Sequence, residues 1–137
     1  MIPYVLDDLT LAEVARGDTD LIDLLLSYDA AGQVLVVPVL AAAAAYRDYP
    51  SADAADSLRG IPELDCAMSA PVGDVTQAMR LVEIAAKTGL DVCAAHVAAV
   101  ADASVCPILT LDADRWRRAS ASLPDPLHVI EIADPEE

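Results

Sequence analysis

The chain has 137 residues, and its 8 basic and 23 acidic side chains give a formal net charge of −15 at pH 7. This length fits one domain, and a hydrophobic fraction of 55% excludes a disordered chain. The negative charge repels phosphate backbones and anionic lipids, so we expect neither nucleic acid nor a membrane as a partner. Three cysteines (Cys66, Cys93 and Cys106) without metal-ligand spacing, and no secretory signal, predict reduced thiols in the cytoplasm.

Short apolar runs alternate with amphipathic stretches along the whole chain. In chain order, the pattern predicts a strand at 4–6, helices at 9–16 and from a cap at Thr19 to Gly32, a strand at 34–37, helices at 39–49 and 51–60, a strand at 64–68, helices at 74–89 and 92–103, a strand at 107–111, a helix at 112–121 and a strand at 127–132. This alternation is typical of a mainly parallel sheet flanked by helices. The sequence therefore predicts one three-layer α/β/α domain over residues 1–137.

Acidic residues follow two of the predicted strands. Asp7 and Asp8 come directly after the first strand, and Asp112 and Asp114 follow the fourth. Because function gathers at the carboxyl ends of parallel strands, these acids converge on one edge if the two strands are neighbours. A purely structural role is equally compatible with the pattern, since Asp7, Asp8 and Asp112 each stand where a helix N-cap is expected.

Four segments carry a resemblance to a known family. They are YVLD at 4–7, VLVVPVLAAAAAYR at 34–47, GLDVCAAHVAAV at 89–100 and ILTLD at 108–112. In this order and spacing the chain resembles a PIN domain of the VapC toxin type. The first segment resembles the first strand with its acid, and the second resembles the second strand and the helix that follows it. The third resembles the helix that carries the third acid, and the last resembles the strand with the T-x-D signature.

The resemblance implies a Mg²⁺- or Mn²⁺-dependent ribonuclease whose acids hold one or two hard cations. Asp7 matches the first acid of the family and Asp112 the fourth. The second acid falls on Ala44 and the third on Ala94, and the Ser or Thr expected after the first acid falls on Leu9. Alanine cannot ligate a metal, so the resemblance implies a site that has lost half of its acids.

The remaining candidates for the site are neighbours of these positions. We take Asp7 and Asp112 as the remnant catalytic acids and, with Asp8 and Asp114 beside them, as the candidate metal ligands. Asp48 and Asp91 lie near the two alanines, but neither matches the spacing of the family. Mg²⁺ or Mn²⁺ is therefore expected only if this acidic site is functional, and no cofactor otherwise.

Other side chains have an ordinary and a functional interpretation. His96 lies on a helix of alanines and valines, which favours a packed histidine over a ligand. The basic residues Arg115, Arg117 and Arg118 are typical of a solvated face, with a partner or RNA contact as the alternative. Trp116 is more typical of a core or interface anchor than of a base-stacking platform.

The sequence thus predicts a VapC-like PIN domain that is catalytically inactive or severely impaired and acts by protein–protein binding or regulation. The expected partners are a second copy, through helices at 39–60 and 21–28, and a small antitoxin-like or other regulatory protein. One alternative is a Mg²⁺- or Mn²⁺-dependent endoribonuclease of a toxin–antitoxin system that uses Asp7 and Asp112. A second alternative is a small-molecule binder on the edge formed by the strand carboxyl ends.

Overall fold

The computed structural model describes residues 2–132. Its strands are β1 Tyr4–Leu6, β2 Leu35–Pro38, β3 Ala67–Ala70, β4 Ile108–Thr110 and β5 Val129–Glu131. Its helices are α1 Asp8–Arg16, α2 Thr19–Ala30, α3 Val39–Asp48, α4 Ala52–Gly60, α5 Val75–Thr88, α6 Val92–Ser104 and α7 Ala113–Ser120, with a 3₁₀ turn at Ile61–Glu63. Within this part of the chain, the five strands form one parallel sheet in the order β3-β2-β1-β4-β5, which confirms the predicted α/β class.

The centre of the sheet is built from continuous apolar runs. Val5 of β1 lies between Val36 of β2 and Ile108 of β4, and all three side chains are buried. Parallel strands covered on both faces need apolar side chains at every position, which is why these segments do not alternate with polar residues. The same burial holds the ends of β1 and β4 in fixed positions.

Most helices begin at a side-chain cap and several end at glycine. Asp18, Ser51, Asp74 and Asp91 each accept a hydrogen bond from a backbone N–H in the first turn of their helix. Asp18, and not Thr19 as predicted, caps α2, because Thr19 already has helical geometry. Gly89 ends α5 at φ 77°, a left-handed conformation that glycine adopts without a steric penalty.

The third strand differs from the prediction. A strand was expected at 64–68, whereas β3 covers Ala67–Ala70. Residues 64–66 instead form a turn after the 3₁₀ turn Ile61–Glu63, in which the N–H of Ala67 donates to the carbonyl of Leu64 at 3.1 Å and the N–H of Cys66 donates to Oδ1 of Asp29 at 2.7 Å. These hydrogen bonds turn the backbone, so the strand begins at Ala67 rather than at Leu64.

The strand order places a switch point between β1 and β4. From β1 the chain moves to β2 and β3 on one side, and it then returns to β4 and β5 on the other side. In open parallel sheets, the crevice for a ligand lies at the carboxyl ends of the strands at such a reversal. Asp7 follows β1 and Asp112 follows β4 after one residue, so the expected convergence of these acids on one edge is confirmed.

No single helix in residues 2–132 is long and apolar enough to cross a membrane. The consecutive helices α5 and α6 reach the required length and composition only as a pair, and they are bent by 104° at the break between them.

Candidate functional site

The carboxylate of Asp7 lies at the centre of the candidate site and is fully buried. Its Oδ1 accepts the backbone N–H of Thr10 at 2.8 Å, which caps α1. Its Oδ2 accepts the hydroxyl of Thr110 at 2.6 Å and the indole N–H of Trp116 at 2.9 Å. Both oxygens therefore already have protein donors, and the cap predicted for this position is confirmed.

The two threonines join Asp7 to the end of β4. The hydroxyl of Thr10 donates to the carbonyl of Leu109 at 3.2 Å, and the backbone N–H of Asp112 donates to the hydroxyl oxygen of Thr110 at 3.0 Å. A hydroxyl that accepts one hydrogen bond and donates another orders both partners at once. The T-x-D segment thus connects the acids through Thr110 rather than presenting two free carboxylates.

The pKa of the Asp7 carboxyl is raised above its ordinary value. Burial is the main cause, because it disfavours the charged form. The hydrogen bonds from Thr110, Thr10 and Trp116 act in the opposite direction and offset part of this rise. A carboxyl with a raised pKa holds its proton more strongly, and this competes with any cation for its oxygens.

Asp8 is neutralised by a guanidinium from α7. Arg115 Nη1 donates to Oδ1 of Asp8 at 2.7 Å and Nη2 donates to Oδ2 at 2.9 Å, a two-bond arrangement that matches the geometry of both groups. The two side chains are only 18% and 14% exposed. The guanidinium also lies 4.8 Å from the centre of the Trp116 ring. The interpretation of Arg115 as part of a solvated face is therefore wrong, although Arg117 and Arg118 are exposed as expected.

The pKa of Arg115 reflects the negative charge of this edge. Burial of the guanidinium lowers the pKa, but the hydrogen bonds and charge of Asp8, with smaller contributions from Asp7 and Asp91, raise it by more. Arg115 is thus a permanent cation among the acids.

The two acids after β4 have structural partners. Oδ1 of Asp112 accepts the backbone N–H of Arg115 at 3.2 Å, so Asp112 caps α7 as the alternative interpretation expected. Asp114 is exposed in the first turn of the same helix and pairs with Arg117. Carboxylates in these positions are favoured by the positive end of the helix dipole. Neither acid needs a metal to explain its place.

The two alanines at the lost acid positions are buried. Ala44 on α3 and Ala94 on α6 place methyl groups where the resemblance implies carboxylates. Their acidic neighbours do not replace them, because Arg47 contacts both. Its Nε donates to Oδ1 of Asp48 at 3.1 Å, and its Nη2 lies 3.9 Å from Oδ2 of Asp91.

These donors do not fit the divalent metal that the resemblance implies. Hard cations require several free oxygen ligands. Here the oxygens of Asp7 accept three hydrogen bonds, Asp8 is paired with Arg115, and Asp112 is a helix cap. Within residues 2–132, no group of three or more His, Cys, Asp or Glu side chains is arranged to hold a metal ion.

His96 is a packed core histidine, as expected. It is 3% exposed, and its Nδ1 accepts the backbone N–H of Leu40 at 3.3 Å. Burial lowers its pKa, and an interaction with the carbonyl of Pro71 offsets part of that effect. The side chain therefore fixes the first turn of α3 against α6 in its neutral form.

Two apolar grooves lie away from the acids. One groove of about 320 Å³ lies beside the carboxyl ends of β2 and β3, where Val39 and Tyr46 of α3 face Leu58 and Arg59 of α4. Another of about 350 Å³ runs between α5 and α6. Neither is lined by Asp7 or Asp112, so the candidate acids do not form part of these cavities.

One solved structure supports the assignment of the fold. The chain is similar to PAE2754 from Pyrobaculum aerophilum, with a TM-score of 0.53, 18% sequence identity, and coverage of 93% of this chain and 83% of that chain. No protein-family model and no curated protein matches the sequence. The similarity, together with the five-stranded parallel sheet, shows an α/β fold similar to that of PAE2754.

Proposed function

We propose that this chain is a catalytically inactive or severely impaired PIN-like domain of the VapC toxin type that acts through protein–protein binding or regulation. The observation that carries the proposal is the two-bond ion pair of Arg115 with Asp8 at the edge where Asp7 and Asp112 converge. A nuclease of this fold would need a concentration of free carboxylates at that edge to attract cations. This edge instead contains its own cation.

The charge of the whole edge supports the same conclusion. Arg115 and Arg47 contact three of the acids at this edge, Asp8, Asp48 and Asp91. These two permanent cations reduce the excess negative charge that a divalent ion would require. The same pairing removes these arginines from the set that could contact an RNA phosphate.

The proposed partners follow from the surface charge. With a net charge of −15, the protein repels nucleic acid and favours a protein with a basic surface, such as a small antitoxin-like or other regulatory protein. Self-association as a homodimer is the other proposed interaction. We place the single domain in the cytoplasm, where Cys66, Cys93 and Cys106 stay reduced as the free thiols seen here.

Incubation with mixed-sequence RNA oligonucleotides and Mn²⁺ tests the loss of activity. The protein should leave the RNA intact over a time in which an active metal-dependent nuclease digests it. The matched variants are Asp112→Ala, at the site, and Asp23→Ala, which changes an exposed acid on α2 that is not among the candidate acids. Cleavage by the unaltered protein that disappears in Asp112→Ala but persists in Asp23→Ala would support the endoribonuclease alternative and contradict the proposal.

A further inference from the structure

Helix α5 has a row of apolar side chains that no described residue covers. Val75 is 74% exposed, and Met79 and Val82 are each 59% exposed. Ala86 continues the row and is also exposed. These four residues, here called the α5 stripe, follow the alternating spacing of four and three residues that characterises a helix–helix contact.

The α5 stripe is separate from the face that packs on the domain. Leu81 and Ile84 are the buried residues of α5 and lie on the side of α6. With about 100° of rotation per residue, the centre of the stripe lies about 160° around the helix from this buried face. The helix therefore has two apolar faces, and only one of them contributes to the core.

The side chains of the stripe complement a second copy of themselves. If two α5 helices pack antiparallel around a twofold axis level with the Arg80–Leu81 peptide, Val75 meets Ala86 of the second copy and Met79 meets its Val82. Each of these two facing pairs then combines a larger with a smaller side chain, as facing positions of packed helices require. Each pair occurs twice in the dimer, because a twofold contact uses the same surface on both chains.

The charges beside the stripe select the antiparallel direction. On one side of the stripe lie Arg80, which is held by Asp102 at 2.6 Å, and Glu83. In the antiparallel pair, each Glu83 comes within one helical turn of Arg80 of the second copy. A parallel pair in register would instead place Glu83 beside Ala78 and Ala85 of the second copy, where no cation meets it.

The side chains on the other side of the stripe are small. Ala78 is exposed and Ala85 is half-buried, and both lie along the edge of the stripe opposite to Glu83. In the antiparallel arrangement they approach Ala85 and Ala78 of the second copy, so the helix axes can come close together. The basic and acidic residues of this face are also nearly balanced, which favours a copy of the same face over a strongly basic partner.

We propose that the α5 stripe is a homodimer contact in which two copies pair through antiparallel α5 helices. This proposal does not depend on the loss of catalysis, since the stripe contains none of the candidate acids. It also names a surface different from the helices 21–28 and 39–60. In the latter helices, the side chains of Ala41, Ala44, Ala45, Ala54 and Leu58 are already buried within the domain.

Sedimentation velocity across a concentration series provides the first test. The unaltered protein should shift from monomer to dimer between about 1 and 200 μM, as expected for a contact smaller than a standard interface. Added salt should strengthen the association, because it screens the repulsion between two chains of charge −15. A protein that stays monomeric throughout this range would overturn the proposal.

Matched variants identify the surface. Met79→Glu should raise the dissociation constant by at least about tenfold, because it buries a charge in the contact. The control is Tyr46→Glu on α3, an exposed side chain of the other candidate surface, which should leave the dissociation constant unchanged. Thermal unfolding by circular dichroism checks that both variants fold, as exposed positions allow. A dimer that is disrupted by Tyr46→Glu and not by Met79→Glu would overturn the proposal.

Cysteine cross-linking determines the direction. In chains with Cys66 and Cys93 changed to serine, Met79→Cys mixed with Val82→Cys should form the mixed disulfide more readily than either chain forms a disulfide with itself. An antiparallel pair brings residues 79 and 82 together, whereas a parallel pair joins each position to its own copy. Predominant self-cross-linking of Met79→Cys would overturn the antiparallel arrangement.

Discussion

The indole N–H of Trp116 donates to Oδ2 of Asp7 at 2.9 Å, although the two residues are 109 positions apart. This contact joins the end of the first strand to the last helix through a fully buried carboxylate. An acid that the resemblance implies as a metal ligand is thus an acceptor for the protein's own donors. In the described part of the chain, no buried side-chain nitrogen or oxygen lacks a hydrogen-bond partner, so each polar atom of this network already has a protein partner.

We expect Asp7→Ala to destabilise the fold. The substitution removes the cap of α1, a loss of about 0.5–2 kcal/mol. It also leaves the buried N–H of Trp116 without an acceptor, a loss of about 1–3 kcal/mol. Urea unfolding at pH 7 should therefore show a decrease in the free energy of unfolding of about 2–4 kcal/mol.

Asp112→Ala is the control for this prediction, because it removes only the cap of α7 and should lower the free energy of unfolding by about 1 kcal/mol. Clustered acids at an active site often reduce stability, and their removal then stabilises the protein. A gain of stability in Asp7→Ala would contradict the structural role of Asp7 and favour a working site.

The ion pair between Arg115 and Asp8 should be energetically coupled. Both side chains are mostly buried, so loss of either partner leaves a charge in a poorly solvated place. In a double-mutant cycle with Arg115→Gln and Asp8→Asn, we expect an interaction energy of about 1–3 kcal/mol from urea unfolding. The exposed pair Arg117 and Asp114 is the control and should show a coupling of about 0–1 kcal/mol. Equal interaction energies in the two pairs would contradict the expectation that burial strengthens the pairing of Arg115 with Asp8.

We expect no divalent-metal site with a micromolar dissociation constant. Mn²⁺ titrated into the protein should give no saturable heat, because Asp7, Asp8 and Asp112 have protein partners. Arg115→Gln frees the carboxylate of Asp8 and should increase Mn²⁺ binding over the unaltered protein. A tight stoichiometric site in the unaltered protein that Asp7→Ala abolishes would contradict the proposed function.

His96 should make the protein less stable in mild acid. Its pKa is lowered by burial in the folded state, so between that value and the ordinary value of 6.5 the unfolded chain binds more protons. The contribution of His96 to stability is thus complete above pH 6.5 and is lost as the pH falls through this window. The raised pKa of Asp7 has the opposite sign, since the folded state then binds more protons above pH 3.8.

The variant His96→Gln separates the two effects. Glutamine can accept the N–H of Leu40 and donate to the carbonyl of Pro71, and it does not titrate. Urea unfolding from pH 7.5 to pH 5 should show a smaller loss of stability on acidification in the variant than in the unaltered protein. The same pH dependence in both proteins would show that His96 is not responsible.

Local pattern was sufficient for most of the fold. Apolar runs identified β1, β2, β4 and β5, because a strand covered on both faces has no polar positions. The convergence of Asp7 and Asp112 was also predictable, since it follows from the alternation of strands and helices once β1 and β4 are neighbours. The same reasoning misplaced β3, because the turn at residues 64–66 is held by hydrogen bonds, one of them to the distant Asp29, which composition does not reveal.

The sequence by itself determined the α/β class, the acids at the strand ends and the alanines at two positions where the resemblance implies metal-binding acids. Only the tertiary structure decided what those acids do. Arg115, Arg117 and Arg118 are near neighbours in sequence, and local pattern cannot separate them. The pairing of Arg115 with Asp8 spans 107 positions, and it exists because packing of α7 brings one face of that helix to the start of α1. Helical periodicity reports which residues share a face, whereas the partner of that face depends on how distant elements pack.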